Sequence, residues 1–228
     1  GNPNLKPSDH YNLDLKWDFN PTPTELISLT AFYKLIKNPI SRIEVASAGG
    51  YLSYENIADK ATVAGVEIEI RKNLFVRPVS NAAHGMNKLS LGLNGSYIYT
   101  NAKMPLATVT TGSQLEGAAP WIVNFDLSHN FTKGERSFVN TLVLNYVSDK
   151  IYTIGTQGYQ DVMEQGVLIL DFVSQAKLNK HLSLNLKARN LLNPSYKLSR
   201  KANENGEKVI LNDYKKGINI SLGVSCTF

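Results

Sequence analysis

The chain has 228 residues, of which 43% are hydrophobic, and a formal net charge of +5 at pH 7. It lacks an apolar run near the roughly 18 residues of a transmembrane helix, which excludes helical spans but not a membrane barrel, whose apolar residues stand at alternate positions. Much of the basic excess lies in the polar stretch 187–216, which is typical of a solvated loop, and no nucleic-acid-binding module is recognisable. A single cysteine, Cys226, excludes an internal disulfide and a cysteine metal cluster.

The first predicted element is a β-strand in residues 10–20, HYNLDLKWDFN, where apolar and polar residues alternate with a period of two. A helix would mix the two sets around its cylinder. The alternation recurs in chain order in segments 25–38, 61–70, 88–100, 120–131, 136–147, 167–178, 182–192 and 217–228. The pattern predicts about nine strands of roughly 10–14 residues, which suit a tilted strand that crosses a bilayer better than the usual short strand of a globular protein.

The ends of the predicted strands and their connections also carry a pattern. Aromatic residues near strand ends, typical of an interfacial girdle, are Trp17, Tyr97, Tyr99, Trp121 and Tyr146. Short connections at 20–24, 132–135 and 179–181 alternate with long ones at 38–60, 101–117, 149–165 and 195–213. Short periplasmic turns and long extracellular loops are typical of a membrane barrel. The connection 71–88 departs from this rule, since it is long on the side of the short turns.

Several segments resemble the barrel of TonB-dependent outer-membrane receptors, in a form like that of Bacteroidota. GNPNLKPS (1–8) and AFYKLIKNPI (31–40) resemble the entry of late barrel strands in this family, and KATVAGVEIE (60–69) resembles the strand that follows a long outer loop. ARNLLNPSY (188–196) is similar to a segment near the C-terminus of these receptors, and the alternation that ends at Phe228 is similar to their last strand. Together these segments extend over essentially the whole chain.

The resemblance implies an all-β fold, an antiparallel transmembrane β-barrel. Residues 1–228 would form the C-terminal part of a barrel of about 22 strands, with the plug domain and roughly the first thirteen strands absent. The family takes up scarce nutrients such as iron chelates, cobalamin or glycans, so the expected activity is transport, without a cofactor and without enzymatic chemistry. The implied partners are outer-membrane lipid, the nutrient ligand, the TonB complex through the missing N-terminal part, and the barrel-assembly machinery, for which Phe228 would be the signal.

Ligand contact in this family involves the outer loops together with the plug. The resemblance therefore implies a contact set among the loop aromatic and basic residues Arg42, Tyr51, Tyr54, Tyr152, Tyr159, Arg200, Lys201 and Tyr214. Glu67 and Glu69 project from one strand face, where such a pair usually lines a water-filled lumen or meets a plug. The four histidines show no metal-ligand spacing. No catalytic, cofactor-binding or metal-binding residue is predicted.

Three alternatives remain open at the level of sequence. A complete small barrel of eight or ten strands would be a passive pore or an adhesion protein. A soluble β-barrel would turn the apolar stripe inward around an apolar ligand, and a period of two cannot distinguish this case. An outer-membrane enzyme would need a nucleophile and a histidine on one surface, and nothing in the sequence indicates such a pair.

Overall fold

The computed structural model describes residues 2–45, 51–79, 85–103, 113–156, 159–202 and 207–227. Within these ranges the chain forms fifteen strands and no helix. The strands are β1 (Asp9–Phe19), β2 (Leu26–Lys37), β3 (Ile40–Glu44), β4 (Leu52–Asn56), β5 (Lys60–Pro78), β6 (Met86–Ala102), β7 (Trp121–Lys133), β8 (Arg136–Val147), β9 (Lys150–Thr153), β10 (Val162–Glu164), β11 (Val167–Lys177), β12 (Leu182–Arg189), β13 (Ser195–Lys201), β14 (Lys208–Lys215) and β15 (Asn219–Cys226). No helix of sufficient length and apolarity to span a membrane occurs among the described residues.

The main sheet has nine strands, all paired antiparallel, in the order β1-β2-β5-β6-β7-β8-β11-β12-β15. Each of the nine segments with alternating residues coincides with one of these strands, so the all-β antiparallel prediction is confirmed. The described residues hold six further strands of eight residues or fewer, which the alternation did not predict. Strands β1 and β15 are the outermost members of the sheet.

The register of the main sheet aligns the apolar positions of successive strands. Residues directly opposite each other in an antiparallel pair share a face of the sheet. One continuous cross-strand row consists of Phe19, Ile27, Ile70, Leu93, Phe125, Leu144 and Leu170. A slip of one residue in any pair would break this row, since it would turn every side chain of a strand to the other face. The sheet thus has one apolar face and one polar face.

Two of the short connections close with defined geometry. The hairpin between β7 and β8 turns on two residues, Gly134 and Glu135, with Lys133 directly opposite Arg136. Gly134 has φ of 59°, a left-handed conformation that glycine adopts without strain. Between β1 and β2, the Asn20 side-chain amide donates to the carbonyl of Glu25 at 3.1 Å, and the Glu25 N–H donates to the carbonyl of Thr22 at 3.2 Å.

The long connection 71–88 is mostly an extension of the β5–β6 hairpin. Strand β5 continues to Pro78 and β6 begins at Met86, and the two pair beyond the last partner of β5 in β2, which is Arg71 opposite Leu26. A register shift between Asn73 and Phe75 leaves Leu74 without an opposite residue, so the extension contains a β-bulge. The length of this connection is therefore explained by a hairpin that protrudes beyond β2 on the side of the short turns, while β7 still pairs with β6 as far as Met86.

The long connections on the opposite side fold into a second body, which we call the outer-loop module. It comprises the β3–β4 hairpin, residues 113–120 and the four-stranded sheet β14-β13-β10-β9. Its apolar core includes residues from three connections and from the outer ends of β2, β5 and β6: Ile36, Ile43, Ile57, Ala58, Ala61, Ala102, Leu115, Ile151 and Ile154. The module is therefore anchored on the end of the main sheet by a shared core.

Candidate functional site

The outer-loop module places Arg42 and Tyr152, which are 110 residues apart in sequence, in direct contact. The Arg42 guanidinium lies 3.9 Å from the centroid of the Tyr152 ring, and its Nε donates to the Tyr152 carbonyl at 3.1 Å. Its Nη2 lies 3.3 Å from Oε1 of Glu116, and the backbone N–H of Arg42 donates to Oε2 of the same carboxylate at 2.6 Å. One arginine thus joins three connections of the chain.

A second arginine makes a parallel arrangement. Arg200 on β13 forms an ion pair with Glu44 on β3, and its guanidinium lies 5.4 Å from the centroid of the Tyr159 ring. The side chains of Arg200 and Glu44 are both largely buried, so their attraction is less screened by water than that of an exposed pair. Here too a cation, a carboxylate and a tyrosine meet from distant parts of the chain.

The two arginine clusters are joined through Ile43 and Ile154. These residues form an isolated parallel β-bridge, in which Ile154 N–H donates to the Arg42 carbonyl at 3.1 Å and Glu44 N–H donates to the Ile154 carbonyl at 3.2 Å. Ile154 is fully buried. A β-carbon on Gly155 would lie 2.1 Å from the Tyr159 carbonyl oxygen, so only glycine allows the chain to fold back here. The two clusters are therefore connected by two backbone segments that are hydrogen-bonded to each other.

The remaining members of the predicted contact set lie at the surface of the module. Tyr51 and Tyr54 are exposed at the β3–β4 hairpin, and Tyr54 stands opposite Arg42 in that pair. Lys201 is exposed at the end of β13. Tyr214 on β14 stacks on Tyr196, with ring centroids 5.4 Å apart. The structure thus brings four predicted residues, Arg42, Tyr152, Arg200 and Tyr159, into the two clusters and leaves the other four outside them.

Phe228, the predicted assembly signal, lies outside the described residues. Strand β15 leads towards it, and Thr227 N–H donates to the carbonyl of His181 at 2.9 Å. On β15 the apolar residues Ile220, Leu222 and Val224 are exposed on one face. The role of Phe228 stays a prediction.

The polar face of the main sheet forms open recesses between the module and the short turns. The recess nearest the short turns has a volume of about 450 Å³ and is lined by β5, β6 and β7. The charged side chains on its polar face are the cations Arg71 and Lys88 and the carboxylates Glu69 and Asp126.

The charged groups of this recess are partly paired. The Nε of Arg71 donates to Oε1 of Glu69 at 2.7 Å, so one member of the predicted Glu67–Glu69 pair is engaged in an ion pair. A β-carbon on Gly92 would lie 2.1 Å from Oδ1 of Asp126, so the carboxylate occupies the space that this glycine leaves. No cluster of three or more His, Cys, Asp or Glu side chains suited to a metal ion occurs among the described residues. The recess is therefore lined by a polar surface on which the positive and negative charges balance.

Glu25 is a buried carboxylate in the turn before β2. Its Oε1 accepts a hydrogen bond from the Asn73 backbone N–H at 3.0 Å and lies 3.4 Å from Nζ of Lys72. The Asn73 hydrogen bond, followed by the hydrogen bond and charge of Lys72, lowers the pKa of Glu25 below its usual 4.5, against the opposing effect of burial. This carboxylate therefore ties the first short turn to the protruding β5–β6 hairpin.

Sequence reasoning missed the two carboxylates that complete the arginine clusters, Glu44 and Glu116. Both stand in polar connections, where a single acidic residue usually belongs to a solvated loop. Only the fold brings each carboxylate to its arginine. The sequence did contain a signal for a packed module, namely the apolar residues Ile43, Ile151 and Ile154 within the long connections. Apolar residues inside a polar connection indicate that the connection packs against another part of the protein.

The class of protein follows from these features. The antiparallel sheet has an apolar face, an opposite polar face, short turns at one end and a packed loop module at the other. The sequence model of the family described as TonB dependent receptor-like, beta-barrel, matches residues 1–191, and the chain belongs to this family. No curated protein and no solved structure matches the chain significantly.

The family determines the general role of the chain. TonB-dependent receptors are an outer-membrane family of Gram-negative bacteria, so the role is receptor-type transport across the outer membrane, coupled in general to TonB. Its members are transporters, which confirms the prediction that the protein is not an enzyme and removes the outer-membrane enzyme from the alternatives. Membership also argues against a soluble barrel with an apolar interior. The match ends at residue 191, so it does not test the resemblance of the closing strand.

Proposed function

We propose that the chain forms the C-terminal wall of a receptor that takes up a scarce nutrient, such as an iron chelate, cobalamin or a glycan. In this proposal residues 1–228 are part of a barrel of about 22 strands, like that of Bacteroidota receptors. The apolar face contacts membrane lipid and the polar face lines the lumen, where a plug domain would pack. The outermost strands β1 and β15 would pair with strands outside this chain.

The observation that carries the proposal is the continuous apolar face of the main sheet. A soluble sheet would cover such a face with a second layer. Here large apolar side chains remain exposed in the central strands as well as at the edges, for example Leu29 on β2, Ile68 on β5 and Trp121 on β7. In a bilayer these side chains meet hydrocarbon, while the polar face with its charged recess meets water or protein.

In this proposal the predicted ligand contacts have two different roles. Arg42, Tyr152 and Arg200 bind other parts of the module, so in this proposal they position the loops. The exposed residues Tyr51, Tyr54, Tyr159, Lys201 and Tyr214 would contact the ligand directly. Exposed tyrosines offer a flat apolar surface with a hydroxyl, which suits binding at the edge of a water-filled vestibule.

A labelling scan of β11 tests the placement of the apolar face. Single cysteines would be introduced at positions 168–176 in a Cys226→Ser background, since Cys226 is free and exposed. Lipid-soluble and water-soluble thiol reagents would then be compared in native outer membranes. We expect the lipid-soluble reagent to label even-numbered positions, which lie in the apolar rows, and the odd-numbered positions to respond to it poorly. Equal labelling at successive positions would contradict the proposal.

A binding assay tests the assignment of roles in the module. The variant Tyr51→Ala/Tyr54→Ala should weaken binding of the cell's own nutrient without loosening the module, because both rings are exposed. Arg42→Ala should weaken binding together with faster hydrogen exchange in the module. Unchanged nutrient binding in both variants, at equal receptor abundance, would remove the ligand role of these residues. The matched control is Tyr33→Ala, an exposed tyrosine on the apolar face of β2.

A further inference from the structure

Exposed cations lie at the end of the apolar face near the short turns, and the proposed function gives them no role. Arg77 on β5, Lys133 on β7 and Arg136 on β8 are exposed, and none of them has an ion-pair partner among the residues the structure describes. The nearest carboxylate in sequence is Glu135, in the turn between Lys133 and Arg136. Lys72 also points to this face, but it is paired with Glu25. We call Arg77, Lys133 and Arg136 the basic rim.

The register places the basic rim on the apolar face. Lys133 on β7 and Arg136 on β8 are opposite each other. They form the next row on this face after Phe131 and Phe138, towards the short turn. Because of the bulge, Arg77 lies opposite Asn87, and Asn87 lies opposite Phe131. Arg77 is therefore two strand spacings, about 10 Å, from Phe131. Without the bulge, the side chain of Arg77 would point to the polar face.

The depth of the rim matches the head groups of a bilayer. Trp121 at the outer end of β7 and Phe131 near its inner end are ten residues apart, which is about 26 Å across the membrane for a strand tilted by about 40°. That is the usual height of the apolar band of an outer-membrane barrel. The cations of Lys133 and Arg136 lie just beyond this band, where lipid phosphates stand.

A row of polar side chains lies on the same apolar face, one row further from the rim than Phe131 and Phe138. Asn87 and His129 share a hydrogen bond of 2.8 Å between Oδ1 and Nε2, and the Ser174 hydroxyl donates to Oδ1 of Asn140 at 2.7 Å. His129, Asn140 and Ser174 stand opposite one another on β7, β8 and β11. Asn87 is opposite Phe131, in the row next to the rim, where its side-chain amide is placed to donate to the ester carbonyl of a lipid.

Aromatic rings complete the arrangement. Phe131 and Phe138 pack with ring centroids 6.4 Å apart, and Phe75 lies 5.4 Å below the guanidinium of Arg77. From these features we propose that the face of β5–β8 near the short turns binds an anionic phospholipid of the inner leaflet. The rim would hold the phosphate, Asn87 in the row of Phe131 the ester groups, and the aromatic rings the start of the acyl chains. Three cations against the single carboxylate of Glu135 favour an anionic over a zwitterionic head group.

The inference rests on the proposed contact of the apolar face with lipid, and the experiment separates the two. The complete gene product would be reconstituted in phosphatidylcholine bilayers with spin-labelled phosphatidylglycerol or phosphatidylcholine. The fraction of motionally restricted label shows whether the apolar face meets lipid. The ratio of the two association constants shows whether an anionic site exists. We expect a preference for phosphatidylglycerol that is reduced by salt.

The test variant is Arg77→Gln/Lys133→Gln/Arg136→Gln, with folding checked by circular dichroism. The matched control, Lys88→Gln/Lys177→Gln/Lys187→Gln, removes the same charge from the polar face. We expect the preference to fall towards one in the rim variant, by up to about fivefold for each cation at the site, and to persist in the control. Arg77→Lys/Arg136→Lys should retain it.

The possible results have distinct meanings. A preference that is absent in the parent protein, survives in the rim variant or is lost equally in the control overturns the lipid site. Absence of motional restriction for both lipids overturns the placement of the apolar face itself, and with it the proposed function.

Discussion

Arg42 illustrates how one residue can organise loops that are far apart in sequence. Its side chain contacts a carboxylate, a carbonyl and an aromatic face at once, and a guanidinium is suited to all three because it is planar and has five donors. Removal of the side chain would leave Glu116 without its cation in a partly buried position. The effect should therefore exceed the loss of one surface ion pair.

We expect Arg42→Ala to lower the local free energy of opening of the module by about 2 kcal/mol, in the range of hydrogen bonds to charged groups. Amide hydrogen exchange at Ile154, whose N–H donates to the Arg42 carbonyl, should accelerate by about 30-fold. Lys60→Ala is the control, since Lys60 is exposed at the outer end of β5. Equal exchange in both variants would mean that the cluster does not stabilise the module.

Glu25 gives a prediction on pH. Its pKa is lowered in the folded state by the Asn73 N–H and by Lys72, so its contribution to stability is complete above the ordinary value of 4.5. The contribution is lost as the pH falls below 4.5 and through the lowered pKa of the folded protein. We expect Glu25→Gln to be less stable than the parent at pH 7, with the difference disappearing in acid. Thermal unfolding in detergent from pH 3 to pH 7 measures this, and a difference independent of pH would contradict it.

The arginine clusters also show which part of the site a sequence can predict. The sequence singled out aromatic and basic side chains in the long connections, and their role in ligand contact stays a prediction. The partners of these side chains were not predictable, because Arg42 meets Glu116 and Tyr152 only after several strands have paired. Whether such a residue is exposed, like Tyr51, or paired inside the module, like Arg200, depends on that packing.

Two glycines on neighbouring strands of the main sheet differ in how much space surrounds them. A β-carbon on Gly65 of β5 would lie 2.3 Å from Cζ of Phe32 and 2.4 Å from the Tyr97 carbonyl oxygen. The backbone oxygen cannot move without disturbing the β5–β6 pairing. A β-carbon on Gly95 of β6 would lie 3.7 Å from Ile68, an ordinary contact. The first glycine is required by packing, and the second is not.

Gly65→Ala should therefore destabilise the protein by about 1–3 kcal/mol, the usual cost of overpacking. Gly95→Ala should be neutral, and it serves as the matched control on the neighbouring strand. Urea unfolding from lipid vesicles, followed by tryptophan fluorescence, measures both. A midpoint for Gly65→Ala equal to that of the parent would show that the local packing differs from the structure.

At the scale of elements, the long strands were predictable and the short ones were not. Alternation over ten or more residues determined the nine strands of the main sheet, because one face meets apolar surroundings along the whole length. The strands of the module are short, and β10 has only three residues. Their pairing depends on contacts between connections, such as the Ile43–Ile154 bridge, for which a local pattern carries no signal. The bulge in β5 could not be predicted either, because it appears only in the register between β5 and β6.

The whole molecule combines a packed outer-loop module at one end of a continuous sheet with the basic rim at the other. The shared core at Ile36, Ala61 and Ala102 joins the module directly to β2, β5 and β6. At the other end Glu25 and Lys72 join the first turn to the protruding hairpin. The polar recess lies between these two ends, next to the proposed lumen.

The edges of the sheet decide between a part of a large barrel and a small complete one. Every described residue of β1 and β15 is exposed, including Leu15 and Leu222, and each strand pairs with a single neighbour among the residues the structure describes. Strands with free N–H and C=O groups beside apolar side chains tend to pair with another chain. Residues 1–228 expressed alone in mild detergent should therefore associate as concentration rises.

Sedimentation velocity over a wide range of protein concentration measures this association. The matched control is the complete gene product in the same detergent, which should stay monomeric if its additional strands cover both edges. If residues 1–228 also stay monomeric, a crosslink between cysteines introduced at positions 15 and 222 would show whether β1 and β15 meet. An efficient crosslink would mean that this sheet closes on itself, and the proposed barrel of about 22 strands would then be wrong, because a closed sheet leaves no edge at which further strands could pair.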